Sequence, residues 1–351
     1  MPRRFQALLL ATTALMPCAA ALAGGPTPPG ATELPTGPQT QGGSATYTTN
    51  NVTNTLTVNQ FSQNLITNWY TFNIGSSATV NFLQPNASAI ALNRVTGDTN
   101  PSQIMGTLNA NGIVFLVNPN GVIFGKGSQV NAAGFLATTH DIKNSDFLAG
   151  KYNFTIPGNP TASIVNFGNI TATSGGFAAL VAPGVRNDGV ITAQLGSVGL
   201  ASSGQGFTLD MYGDKLITLA VNDHVAAQVL DVSTGRPLSS LIANNGTLSA
   251  NGGKVQITAA AAKYVVDSVI NNKGVIEANA VGQRGGTIVL AAATGKSKPA
   301  DAPAQNVRLA GRISAAGKKA GQTGGTITVT GENISMTGAK VDASGQAGVA
   351  S

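Results

Sequence analysis

Hydrophobic positions along the chain follow a period of two over most of its length. Thr55-Leu56-Thr57-Val58 and Ala78-Thr79-Val80-Asn81-Phe82 alternate, which marks strands with one buried face. Ile113-Val114-Phe115-Leu116-Val117 departs from the alternation as a five-residue apolar run, followed by the shorter Val122-Ile123-Phe124. Both are rich in β-formers. Asn118-Pro119-Asn120-Gly121 lies between them and Asn111-Gly112 precedes the first. Proline presets φ, and Asn and Gly tolerate the left-handed region, so both segments predict tight turns. Two strands folding around a corner are the expected local structure.

From Asn166 onward the alternation becomes a repeat. Asn-x-Gly opens a strand, a Gly-rich corner follows, and a second strand closes the unit. Asn166-Phe167-Gly168, Asn187-Asp188-Gly189, Asn244-Asn245-Gly246 and Asn272-Lys273-Gly274 lead four units, and Leu309-Ala310-Gly311 leads a fifth without the Asn. Successive lead glycines are 21 to 57 residues apart, so the longer units must carry loops. Repeats of this length without helical periodicity predict a solenoid. Stacking coils pairs each backbone N–H and C=O with the coil above and below and aligns inward Ile, Val and Leu. At about 25 residues and about 4.8 Å per coil, some 300 residues would make a rod of roughly 55–60 Å. Residues 140–163 break the pattern and are expected to leave the coil. Ala259 to Ile270 is Ala-rich and predicts one or two helical turns beside it.

Composition agrees with this picture. The chain has 351 residues with 44 Gly and only 10% charged and 5% aromatic residues, so a core of Val, Ile, Leu and Ala is required. Residues 1–23 carry a basic start (Arg3, Arg4), a short apolar run from Ala7 to Leu15 and an Ala21-Leu22-Ala23 cleavage site before Gly24. These are the marks of a secretory signal peptide, too short to span a bilayer. Its only Cys, Cys18, lies inside that signal, so the mature chain is expected to form no disulfide. Residues 24–44 hold five prolines and are expected as a Pro/Gly-rich leader, flexible or extended, with structured sequence beginning near Ala45.

Charge is uneven. Residues 24–235 hold 6 Lys/Arg against 9 Asp/Glu, whereas residues 236–351 hold 12 against 5. A basic distal half makes anionic host or surface glycans a candidate ligand class, against the plainer reading of a solvated face. Nucleic acid is not expected, since no basic-aromatic pattern accompanies the charge.

The ordered segments Val58-Asn59-Gln60, Asn68-Trp69, Phe72-Asn73-Ile74-Gly75, Val80-Asn81-Phe82, Gln84-Pro85-Asn86, Leu92-Asn93-Arg94-Val95, Gly112-Ile113-Val114-Phe115-Leu116 and Asn118-Pro119-Asn120-Gly121-Val122 resemble the secretion domain of filamentous-haemagglutinin-type two-partner-secretion exoproteins, over roughly residues 46–220. One departure is Gln84-Pro85-Asn86-Ala87, where some members carry Asn-Pro-Asn-Leu. The resemblance implies an all-β fold: a right-handed, single-stranded parallel β-helix with an N-terminal β cap and extra-helical excursions. It implies a secretion domain over 45–220 and, in 221–351, β-helix repeats that start an adhesive rod, with the sequence ending in mid-coil as a truncation of a longer exoprotein. The implied partners are the Sec translocon and an outer-membrane transporter with periplasmic POTRA modules, and the implied location is the surface or exterior of a Gram-negative cell. Gln84, Pro85, Asn86, Asn93, Arg94, Asn118, Pro119, Asn120 and Gly121 are the candidate transporter-recognition and turn residues.

No cofactor is expected. The two histidines, His140 and His224, fall in expected loops without zinc spacing, and the Gly-Gly pairs lack the Gly-x-Asp of calcium nonapeptides. An enzyme is not expected. The alternatives are a β-helical polysaccharide lyase or glycosidase, with carboxylates from Asp210 and Asp214 or Asp188, and the N-terminal part of a contact-dependent toxin.

Overall fold

A computed structural model describes residues 24–211, 216–221, 224–293 and 301–346. The expected signal, with Ala21 and Ala23, lies outside them, as does Asp214.

Coil after coil, the chain winds through three strand positions. One is an eight-stranded sheet, parallel throughout, running from Ser102–Ile104 through Val122–Phe124, Ser163–Asn166, Gly184–Asn187, Ser240–Asn244, Ser268–Asn272 and Asn306–Leu309 to Asn333–Met336. A nineteen-stranded sheet wraps the other two faces. It bends at a corner that the long strands Gln129–Thr138 and Asn169–Ala182 turn without a break. The architecture is a parallel β-helix.

Register explains the period of two. Leu56 pairs with Val80, Val80 with Leu108, Leu108 with Val130, Val130 with Ile170, Ile170 with Ile191, Ile191 with Leu248, Leu248 with Ile276 and Ile276 with Ile313. All are buried, in one column along the helix axis. At roughly 1.5–3 kcal/mol per buried aliphatic side chain, this column is one of several favourable terms that each coil adds, beside inward residues such as Val185, Val198 and Leu200.

The apolar run has a different cause. Val114 and Leu116 point into the helix, while Phe115 and Val117 belong to a second buried cluster on its outside. That cluster is closed by the excursions. A short helix, Asn144–Leu148, sends Phe147 inward, and an antiparallel sheet of Asn153–Phe154, Phe207–Asp210 and Thr218–Val221 adds Phe154, Phe207 and Leu209. Phe154 and Phe207 stack with ring centroids 4.6 Å apart. A strand buried on both faces needs apolar residues at every position, so alternation is lost where the excursions lie.

Two expectations are corrected. The segment 24–44, expected as a flexible or extended leader ahead of structure beginning near Ala45, is folded onto the first coil. Gln39–Gly42 pairs antiparallel with Asn64–Trp69, Thr36 bridges Thr71, and Gln103 Nε2 donates to the Thr27 carbonyl at 2.8 Å. Together with Ala45–Asn50, antiparallel to Thr55–Gln60, it caps the end of the helix. The Ala-rich segment 259–270 is not helical. It leaves the strand Lys254–Ala259, bridges Ala261 to Val225 and re-enters the coil at Ser268–Asn272, because pairing with neighbouring coils outweighs the weak helix preference of Ala. The helix instead forms in the 140–163 excursion.

Candidate functional site

The candidate residues sit in the first coils, at corners except for Asn93 and Arg94 in the strand Ile90–Val95, and most are inside the structure. Gln84 is buried. Its Nε2 donates to the carbonyls of Ala89 (2.9 Å) and Ile113 (3.1 Å) and to Gln60 Oε1 (3.2 Å), while its Oε1 accepts from the Gly112 N–H (3.0 Å). One amide therefore ties three successive coils at a corner. Pro85 and Asn86 beside it are exposed. Asn86 Oδ1 accepts from the N–H and hydroxyl of Ser88, and its Nδ2 donates to Gln63 Oε1 at 2.9 Å.

Asn93 is wholly buried. Its Oδ1 accepts from the indole N–H of Trp69 (2.9 Å), and its Nδ2 donates to the carbonyls of Ala91 and Phe115. Arg94 is only 6% accessible. The 141–144 segment folds over it and supplies three acceptors. Nε donates to Asp141 Oδ1 and Nη1 to Asn144 Oδ1, each at 2.6 Å, and Nη2 to the Ile142 carbonyl. A planar guanidinium matches such a fork. Arg94 thus anchors the excursion to the helix.

At the 118–121 turn the amides satisfy backbone groups in the expected Asx manner. Asn118 Oδ1 accepts from the Asn120 N–H (2.9 Å), and its Nδ2 donates to the Asn100 carbonyl and Ser102 Oγ, both at 3.0 Å. Asn120 Nδ2 reaches the Asp98 carbonyl. Gly121 adopts φ +107°, closed to side chains, and the Gly121 N–H donates to the Asn118 carbonyl. Pro119 and Asn120 remain partly accessible. Gly24 is exposed at the start of the described chain.

Three arrangements escaped sequence reasoning. His140 is buried, 6.0 Å from the Phe207 ring centroid and edge to face with it. Burial, partly offset by the Gly204 backbone, lowers its pKa to about 4. The Asn of each Asn-x-Gly lead forms a ladder: Asn166 Nδ2 donates to Asn187 Oδ1 (2.7 Å), Asn187 to Asn244 (2.8 Å) and Asn244 to Asn272 (2.7 Å). The repeat itself was the signal for it. Arg186 binds Asp231 (2.8 Å) and Asp188 and lies 5.4 Å from the Phe167 ring centroid; the hydrogen bond to Asp188 raises its pKa.

Of the carboxylates considered for catalysis, the two among the described residues lie on different elements. Asp188 is at a coil corner, held by Arg186 and Asn245 Nδ2, whereas Asp210 is on the extra-helical sheet.

A parallel β-helix with a folded N-terminal cap, motif-bearing first coils and excursions packed on one face defines a secretion-type exoprotein domain. The model of the TPS (two-partner secretion) secretion domain matches residues 32–329, and the chain belongs to that family. The crystal structure of the HMW1 secretion domain from Haemophilus influenzae is similar at a TM-score of 0.71 and 31% identity, covering 89% of this chain and 74% of that one. Two heme/hemopexin-binding proteins of Haemophilus influenzae are 32% and 30% identical over 269 and 259 residues, 75% and 68% of this chain. The chain spans 28% and 26% of their lengths. Proteins with this domain leave Gram-negative cells for the surface or the medium through a partner transporter in the outer membrane.

Proposed function

We propose that this chain is the export-directing part of a surface adhesin, with residues 45–220 as the unit that a POTRA-bearing transporter captures and residues 221–351 as the first coils of the adhesive rod. After Sec export the transporter binds the chain unfolded and threads it. Each coil then forms on the previous one outside, and the apolar surface it buries biases movement outward.

The burial of Gln84, Asn93, Arg94 and Asn118 carries this reading. In the folded coils their polar atoms are occupied by protein partners, so a transporter meets them only before the coils close. Deleting residues 45–220 is expected to abolish secretion in cells that co-express the transporter. A sharper test places cysteines at Thr192 and Ser249, which pair in register on adjacent coils. Oxidised before export, the Thr192→Cys, Ser249→Cys chain should stall in the periplasm and be released by reductant. Secretion of the crosslinked chain at the normal rate would show that it crosses folded.

A further inference from the structure

We propose that the groove between the 230–237 hairpin and the eight-stranded face binds an acidic polysaccharide. This inference rests on the adhesin reading above and gives it a site and a ligand class.

The hairpin is a built wall. Leu230 bridges Pro237 antiparallel, the Asp231 N–H donates to the Arg236 carbonyl at 2.8 Å, and Gly235 turns the tip at φ +70°. Asp231 holds it to the helix. Its Oδ2 accepts from Arg186 Nη1 at 2.8 Å, and its Oδ1 accepts from the Ser233 N–H (2.9 Å) and hydroxyl (2.5 Å). The negative charge nearest the groove is therefore consumed by Arg186 and by local donors, and opposes an incoming anion little.

Positive charge on the rim is not consumed. Arg236 on the hairpin and Lys273 on the coil below are both exposed, and among the described residues neither has an acidic partner within ion-pair distance. Between them lies a groove of about 350 Å³ whose polar wall includes Ser239, Asn245 and Asn271, with Pro237 as an apolar surface. Hydroxyl and amide groups, one apolar face and flanking cations suit a sugar ring bearing sulfate or carboxylate. Arg308 pairs in register with Asn271 and stands exposed one coil further on, about 4.8 Å along the axis. The cations thus continue along the rod, as a linear polyanion requires. Nucleic acid is disfavoured because no aromatic side chain lines the groove for base stacking.

The test uses the folded, secreted protein and measures binding to dextran sulfate, alginate, neutral dextran, polyglutamate and vesicles of phosphatidylglycerol. Dextran sulfate or alginate should bind in low salt and release as salt screens the charges. Arg236→Ser and Lys273→Ser should each weaken binding by about fivefold, while Lys319→Ser and Lys340→Ser, outside the groove, should change it by less than about twofold. Melting temperatures should match across the variants, since these side chains are exposed. Equal loss in all four variants would mean diffuse attraction without a site. Equal binding of neutral dextran, polyglutamate or vesicles, or no binding at all, would also overturn the proposal. Arg236 and Lys273 lie outside residues 45–220, the unit proposed for export, so variants that lose binding yet are secreted normally leave the export reading intact, and blocked export with intact binding sinks only that reading.

Discussion

Asn187 Nδ2 donates to Asn244 Oδ1 at 2.8 Å although 57 residues separate them. The intervening chain completes the coil, leaves the helix to add two strands to the extra-helical sheet and form the 230–237 hairpin, and returns in register. Phe124 and Leu309 occupy the equivalent positions at the two ends, so the ladder starts and stops against apolar side chains. A buried amide accepting from one coil and donating to the next is satisfied only when all coils are aligned. It therefore specifies register where aliphatic stacking alone would tolerate a slip.

Asn244→Ala should cost about 1–3 kcal/mol, because it leaves the amides of Asn187 and Asn272 short of a partner in the interior. Asn244→Asp should cost more, since a carboxylate there is buried without a cation. Urea denaturation of the folded chain measures both.

Gly246→Ala is expected to be at least as damaging. A Cβ at Gly246 would overlap the Gly189 carbonyl oxygen, and the same holds for Gly274 against Gly246 and for Gly311 against Gly274. The coils approach here through bare backbone, and a methyl group would push them apart. Loss of the cooperative thermal transition, or a melting temperature several degrees lower, is the expected result.

Arg94→Ala should destabilise by about 3–5 kcal/mol, leaving Asp141 without its cation and the Ile142 carbonyl without the guanidinium donor. Arg94→Lys should rescue poorly, because an ammonium on a flexible stem does not reproduce a planar fork to three acceptors. Limited proteolysis should cut both variants between residues 140 and 163 sooner than the parent chain.

His140 predicts loss of stability on acidification. Its folded pKa of about 4 lies below the ordinary value of 6.5, so the unfolded chain binds the proton first as pH falls. The stability from neutral, buried His140 is complete above pH 6.5 and is lost progressively down to pH 4, by about 2 kcal/mol at pH 5. Stability measured from pH 7 to 5 should flatten in His140→Gln. An unchanged pH slope in that variant would assign the acid sensitivity elsewhere.

Much of the helix was legible because its physics is local and repetitive. Leu56 and Val80, or Ile191 and Leu248, announce inward positions by alternation, and the Asn-x-Gly leads announce corners where small residues meet. The motif segments carried the family as well. The candidate residues were legible as types and turns but not as partners. Nothing near Arg94 in the chain signals that Asp141 and Asn144 will cover it, because a side chain read alone has no burial. His140 was opaque for the same reason: its burial depends on Phe207, 67 residues away.

Periodicity and turn chemistry in the amino-acid order thus determined the strands, the corners and the stacking of coils, since each coil needs only its neighbour. The folded cap, the second core around Phe115, the ion pairs of Arg94 and Arg186 and the groove beside Lys273 were decided only by tertiary structure. Each depends on where a long excursion lands. That is set by the summed packing of residues tens of positions apart and leaves no period in the sequence.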